Sequence, residues 1–600
     1  MTAAARGALL ALLLGGPALA VQLLSPPPRL DADAVEYYSH LRSLYFDHDV
    51  DFADEFAHFG ILTRWDKSQP TATGHRRTVF SVGPALLWMP FYAAGDLVAR
   101  ARGDVQDGYS PAHIRAVCLG SLFYGVFGLL LVHRVLEDRF APPVPFWTTL
   151  LLGYATFLFW YMAYEPVMSH APSFFLAALA LLVWWRRGVG LSPGRAALLG
   201  LVVGLATVVR WQNALLLSLP LATLALERPR AARLASSAAA LLGAFALALV
   251  PQLLVFKAIF GTYLLGHPAQ GRDFLHLTRP ALLETLFSSR HGLLFWTPVL
   301  WAGFLGLGGL FARGWRTGGM LDKDRRTAVL LAVPILVMTY TNASSGDWWA
   351  GGSFSNRRFD STLPLLAVGL GASLAALRRL AARRPEAVLA GGGAALVLWN
   401  VLFMEQYRRG AIPRDDTVSF ARVAFNSADV FAAAFGSPVA WPANWIFSLR
   451  EGLPPDRYDL MVGKYLFFMQ NNLGGVIDVG ADPGLDQSLL GEGWGVRTPC
   501  AGAADGVCRL VEGRARLFGA LAVPETLDLT VRAAGPGRLR VLVNGVAVAE
   551  RALTESLEDV TARVPGARWR SGLNEVALEA DPGGSPQVDR VVFRRLEGAP

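Results

Sequence analysis

Three polar clusters stand out in the 600-residue sequence because each borders a long apolar run. The first is LDADAVEYYSHLRSLYFDHDVDFADEF at 30–56, directly after an apolar segment and the stop at Pro26–Pro28. Asp31, Asp33, Glu36, Asp47, Asp49, Asp51, Asp54 and Glu55 lie on a stretch with helical apolar spacing at Val35, Tyr38, Leu41 and Leu44-Tyr45. A solvated acidic loop explains many of these carboxylates. Asp33 differs, since it stands at the edge of the apolar segment, where the aromatic-faced helix begins. The second cluster is AYEPVMSHAPS, with Glu165 and His170 in a turn that has no basic neighbour in sequence. Ionisable groups at membrane depth mark functional sites; a satisfied turn glutamate is the plain alternative. The third is TNASSGDWWAGGSFSNRRFDSTLP, where Arg357 and Arg358 stand side by side. Two planar donor forks suit a phosphate, with anchoring to anionic headgroups as the alternative. Arg210 in VVRWQNALL and Arg290, beside His291, are further candidates of that kind.

The elements that must position these residues are mostly membrane-like. Hydrophobic residues make up 53% of the chain and charged ones 17%, against about 25% charged in a soluble domain. The mean hydropathy is +0.36. A span needs roughly 20 apolar residues, and the candidates lie near 7–25, 113–132, 144–162, 172–185, 196–209, 213–226, 235–256, 292–312, 327–341, 361–377 and 387–405. The first could instead be a signal peptide cleaved after Ala18-Leu19-Ala20, but retention fits the charges downstream. With Arg6 in the cytoplasm, the clusters at 134–139, 186–195, 228–233, 313–326 and 378–384 all fall inside, as the positive-inside rule requires. That alternation holds only if VFSVGPALLWMPFYAAGDLV at 79–98 does not cross, so it is expected as a juxtamembrane helix in the outer interface. The net charge of +8 is thus a topological signal, and no nucleic-acid partner is expected.

After residue 405 the long apolar runs stop. Residues 406–500 read as a connecting region with short helices and aromatic stretches such as PVAWPANWIFSL and YDLMVGKYLFFMQNN. Residues 501–600 alternate, with Asn544-Gly545 between RLRVLV and VAVAERAL as a hairpin turn, the strongest short-range hairpin signal. The expected fold is therefore mainly α: about eleven transmembrane helices and a juxtamembrane helix over 1–405, followed by a β-sandwich. Cys500 and Cys508 suit a disulfide in an oxidising periplasm, two free thiols being the other reading. Arg far outnumbers Lys, and Ala and Gly are abundant, as in proteins from GC-rich bacteria. The expected location is a bacterial inner membrane, with the N-terminus cytoplasmic and the C-terminal domain periplasmic.

Taken in order, these motifs resemble those of the GT-C superfamily of polytopic glycosyltransferases that use lipid-phosphate sugars. The nearest likeness is to its family-39-like branch of protein O-mannosyltransferases and aminoarabinose transferases. In such enzymes a catalytic Asp follows span one ahead of an aromatic pair, which matches Asp33 with Tyr37-Tyr38. A Pro-containing juxtamembrane helix matches SVGPALLWMPFY, and a Gly-rich aromatic stretch ending in paired bases matches WWAGGSFSNRRF. The resemblance covers about residues 7–405. It implies transfer of a hexose or pentose from a polyprenyl-phosphate donor to a hydroxyl of a lipid, glycan or protein, with inversion, at the outer face of the bilayer. Asp33 would be the base. Arg357, Arg358, Arg210 and Arg290 would bind the donor phosphate, with Glu36, Glu165 and His170 in support. Ala34 departs from the Asp-Glu pair of some branches. No cofactor is required. A divalent cation held by Asp33 and Glu165, imitating the oligosaccharyltransferase branch, is the alternative. Three competing classes remain: a transporter or flippase, which would place charges nearer the midplane; a ligase or polymerase of lipid-linked polysaccharides; and a non-catalytic envelope scaffold carrying the β-sandwich, which would not require Asp33 or the Arg pair.

Overall fold

The structure, a computed structural model, describes residues 3–64, 67–186, 191–227, 229–263, 274–318, 322–381, 383–458, 475–480, 489–503, 505–521, 523–581 and 583–595. It divides into two compact units, Met1–Ser427 and Ala428–Pro600.

The first unit is helical. Among the described residues, six helices are long and apolar enough to cross a membrane: Gly7–Leu24, Pro111–Glu137, Ala231–Phe260, Lys323–Ala343, Arg357–Leu380 and Pro385–Arg408. His170–Trp185, Pro193–Val209 and Val299–Gly314 are shorter apolar helices. Several of the apolar runs expected as spans are broken. The run at 144–162 divides into Val144–Tyr154 and Leu158–Ala163, and Asn400 Nδ2 donates to the freed carbonyls of Tyr154 and Thr156 at 2.8 and 3.0 Å. Pro193–Val209 stops at an extended Arg210 and resumes as a 3-10 turn, Trp211–Leu217. There Asn213 Nδ2 donates to the Ala206 carbonyl at 2.9 Å. Backbone opened inside an apolar body is stable only where such side chains satisfy it. The run at 292–312 yields a short turn, Leu293–Trp296, and then a helix beginning at Val299, with Pro298 between them unable to donate.

Glycines set the closest approaches. A Cβ at Gly369 would stand 2.0 Å from the Gly303 carbonyl oxygen, and one at Gly200 would stand 2.0 Å from that of Leu241. Small residues at such crossings let helix backbones pack by direct van der Waals contact.

The 79–98 segment forms the helix Gly83–Arg102, which is not among the six apolar ones. Gly83 abuts the carbonyl oxygen of Val208, which an added Cβ would meet at 2.4 Å. This contact fixes Gly83–Arg102 against the helix end that carries Arg210.

Among its described residues, the second unit has ten strands. These are β1 (Val476–Asp478), β2 (Trp494–Pro499), β3 (Val507–Val511), β4 (Arg514–Leu521) and β5 (Leu527–Ala534). They continue as β6 (Arg538–Val543), β7 (Val546–Ala552), β8 (Glu558–Val564), β9 (Gly572–Ala580) and β10 (Gln587–Arg595). One antiparallel sheet runs β2-β3-β10-β5-β8 with β1 also on β10, and the other runs β4-β9-β6-β7. Leu527, Leu529, Val531 and Ala533 on β5 share a core with Leu539, Val541 and Val543 on β6, the two-residue period of a half-buried strand. Asn544 and Gly545 have φ of 49° and 80° at the β6–β7 turn, the doubly left-handed geometry that favours Asn-Gly. β1 and β2 precede residue 501, so the sheets recruit part of the stretch expected as a connector. Cys500 and Cys508 form a disulfide with Cα atoms 5.4 Å apart. Beyond Tyr458, the aromatic stretch YDLMVGKYLFFMQNN lies outside the described residues.

Candidate functional site

Asp33 occupies the first turn of the helix Ala32–Arg42. That helix forms because Val35, Tyr38 and Leu41, 1%, 0% and 0% exposed, recur at helical spacing and pack inward. Its opening is strained, with Ala32 at φ 45°, a left-handed conformation that costs a residue with a Cβ about 1–2 kcal/mol. Such strain clusters where neighbouring structure imposes a geometry. The loop bearing Arg357 shows the same feature, with Ala350 and Ser355 at φ 67° and 62°.

These two segments meet. Arg357 Nη1 lies 2.9 Å from Asp33 Oδ2, and Arg357 Nε donates to the Ala350 carbonyl at 3.2 Å. Both side chains line a cavity of about 680 Å³. Its wall carries six basic residues, Arg64, Lys67, Arg77, Arg210, Arg357 and Arg358, against three acidic ones, Asp33, Glu36 and Asp347. A partly enclosed space with that surplus favours an anion, because its low-dielectric walls strengthen each charge interaction.

The broken helix at Arg210 now has a reason. Extended backbone there (φ −149°, ψ 121°) turns the guanidinium back toward the bundle, where Nε lies 3.3 Å from Asp360 Oδ2. Nη1 donates to Ser169 Oγ at 3.0 Å, and Ser169 Oγ in turn donates to the Tyr37 hydroxyl at 3.0 Å. His170 Nδ1 sits 2.9 Å from the same Asp360 oxygen. Arg210, Ser169 and Tyr37 thus form a polar chain running from buried Asp360 toward the helix of Asp33. Replacing Asp360 by Asn should leave Arg210 beside a neutral amide and cost about 3–5 kcal/mol of stability, the usual penalty for breaking a buried pair. Chemical denaturation of the detergent-solubilised protein measures it.

Glu36 lines the cavity, 2.8 Å from Lys67 Nζ, and accepts from Thr78 Oγ1 at 2.7 Å. Burial raises its pKa, while Lys67 opposes the rise. His40, two turns along the helix from Asp33, is fully buried with Nε2 3.1 Å from the Phe80 carbonyl. Burial pulls its pKa down to about 4. A depressed histidine contributes stability that is complete above its ordinary pKa near 6.5 and is lost as pH falls through about 4. The shift corresponds to about 3 kcal/mol. Melting temperature is therefore expected to drop between pH 6.5 and 4, and His40→Gln should flatten part of that drop.

The remaining candidates fall elsewhere. Arg358 places Nη2 2.7 and 2.6 Å from the two carboxylate oxygens of Asp347, so its charge is already paired at the cavity wall. Arg290 does not line the cavity; it stacks 3.8 Å over Trp349 and pairs with Asp415 at 3.1 Å. Glu165 lies outside the cavity lining too. Its pKa is raised by burial and drawn back by Arg357 and Arg414. Among the described residues, neither Asp33 nor Glu165 belongs to a cluster of three or more ligand-type side chains able to share a metal ion. Arg64, Lys67, Arg77, Tyr37 and Asp360 were not singled out as site residues from sequence. Of these, Tyr37 had a signal as half of the aromatic pair after Asp33, and Asp360 stands three residues beyond Arg357 in the third polar cluster.

No protein-family model and no curated protein matches the chain. Among solved structures it is similar to ArnT from Cupriavidus metallidurans in the apo state, at 13% identity and TM-score 0.39, covering 72% of this chain and 76% of that one. It is also similar to the arabinosyltransferase EmbB from Mycobacterium smegmatis, at 12% identity and TM-score 0.36, covering 97% and 64%. A Podospora anserina GH26-CBM35 β-(1,4)-mannanase matches at 22% identity and TM-score 0.18 over 21% of this chain. The chain spans 29% of that mannanase's length and just under two thirds of EmbB's. The matched structures thus include GT-C glycosyltransferases. At these identities and scores they carry no activity over to this chain, whose function has to be read from its own residues.

Proposed function

We propose that this protein transfers a sugar from a polyprenyl-phosphate carrier to an acceptor hydroxyl at the outer face of a bacterial inner membrane, inverting the anomeric centre. The observation that carries the reading is the 2.9 Å pair between Asp33 and Arg357 at the wall of a strongly basic cavity. It joins a carboxylate able to accept a proton to a guanidinium able to accept a departing phosphate, and it does so with residues from the two ends of the helical unit.

The step balances without a cofactor. The acceptor oxygen forms a bond to the anomeric carbon as the bond from that carbon to the phosphate oxygen breaks, its electron pair leaving on the polyprenyl phosphate. The acceptor proton passes to Asp33. Phosphate is already a good leaving group, so no strong general acid is needed, and Arg357 offsets the charge developing on it. Arg210 holds the far side of the same basic wall through Asp360 and Ser169. Arg358, paired with Asp347, shapes the wall, and Arg290 has no part in the step. The apolar helices would supply a groove for the carrier's tail. The sandwich would stand outside the membrane, available to the acceptor.

The test is a transfer assay on membranes containing the full chain, with polyprenyl-phosphate sugars as donors. Release of free polyprenyl phosphate together with a glycosylated acceptor supports the reading. Movement of the intact donor across the bilayer without cleavage would replace it with transport.

A further inference from the structure

A second cavity, of about 470 Å³, lies at the opposite end of Leu363–Leu380 from Arg357. Arg139, Arg313, Arg378 and Arg379 converge on it from three separate segments. Arg139 follows the helix Pro111–Glu137, Arg313 lies in Val299–Gly318, and Arg378 and Arg379 occupy the last turn of Leu363–Leu380. That last helix has 18 residues, so its ends stand about 27 Å apart at the α-helical rise, near the roughly 30 Å of a hydrocarbon core. Read as a spanning helix, it puts this cavity in the leaflet opposite the Asp33 site.

Arg139 and Arg313 both pair with Asp324. Arg378 Nε lies 3.2 Å from Glu386 Oε1, and among the described residues Arg379 has no ion pair. Four guanidiniums and no carboxylate side chain line this concavity among the described residues. The remaining lining is apolar or small: Phe140, Val144, Ala372 and Ala375 are part of it. A loop that is basic only to orient the chain would need neither convergence nor an apolar floor. A cationic rim over an apolar floor at a helix end complements an amphiphile, with phosphate at the guanidinium forks and glycerol and acyl chain below.

We propose that this cavity binds the headgroup phosphate of an anionic glycerophospholipid in the leaflet opposite the Asp33 site. The inference rests on the helices spanning a membrane and is independent of the transferase reading.

Binding is measured on the full chain in neutral detergent by native mass spectrometry, with dioleoyl phosphatidylglycerol, dioleoyl phosphatidylcholine and inorganic phosphate as probes. Arg379→Gln alters an exposed side chain and should leave melting unchanged; Arg378→Gln/Arg379→Gln removes both cations of the helix end. The expected result is phosphatidylglycerol binding weakened about tenfold by the single change and further by the double one, with the weaker phosphatidylcholine binding unaffected. Equal phosphatidylglycerol affinity in wild type and both variants would overturn the proposal. So would inorganic phosphate binding as tightly as the lipid, which would make this a free-anion site.

Discussion

Replacing Asp33 by Asn is expected to slow sugar transfer by about 10²–10⁴-fold, the usual contribution of general-base help, with the protein equally abundant in the membrane and equally stable. The side chain keeps its shape and can still meet Arg357, which retains the Ala350 carbonyl at 3.2 Å. Asp33 and Arg357 side chains are 27% and 19% exposed, and a partly exposed pair contributes only about 0–1 kcal/mol. A loss of several powers of ten in rate therefore cannot be assigned to folding. The readout is the rate at which labelled polyprenyl-phosphate sugar is consumed in membranes from cells expressing each form. Wild-type consumption by Asp33→Asn would remove Asp33 from the role of base.

Arg357→Gln is expected to lower turnover by about 10²–10³-fold, as removing one preorganised donor to a developing oxyanion does. Arg357→Lys should fall between, since it keeps the charge but loses the planar fork. The effect belongs in kcat, because the charge on the phosphate grows as the anomeric bond breaks. Asp33 and Arg357 touch, so the double variant should lose less than the product of the single losses. Independent, multiplicative losses would mean that the two residues act on different events. A change confined to KM would make Arg357 a ground-state binding group only.

Where polarity is scarce, the sequence is easiest to read. Asp33 and Arg357 were both legible because each is an ionisable group against an apolar run, and they are 2.9 Å apart in the fold. Arg210 was legible only as a lone cation. Its reach to Asp360 depends on a helix break that no proline or glycine announces at that point. Arg64, Lys67 and Arg77 were hidden because they lie in an aperiodic loop, where spacing says nothing about which side chains converge. Arg290 looked equivalent to the others in sequence, yet Trp349 and Asp415 hold it elsewhere. The β-sandwich was legible through alternation and Asn544-Gly545, while β1 and β2 were not, being short and outside any alternating run. The breaks within the apolar runs were not legible, because apolarity alone does not reveal which carbonyls a distant side chain will satisfy.

The most direct measurement is mass spectrometry of envelope glycans and lipids from cells lacking this gene, complemented with wild type or with Asp33→Asn at matched membrane abundance. A glycosylated species should vanish on deletion, return with wild type and stay absent with Asp33→Asn; the missing mass then names the sugar. An unchanged envelope on deletion, or full restoration by Asp33→Asn, would contradict transfer by an Asp33-dependent site.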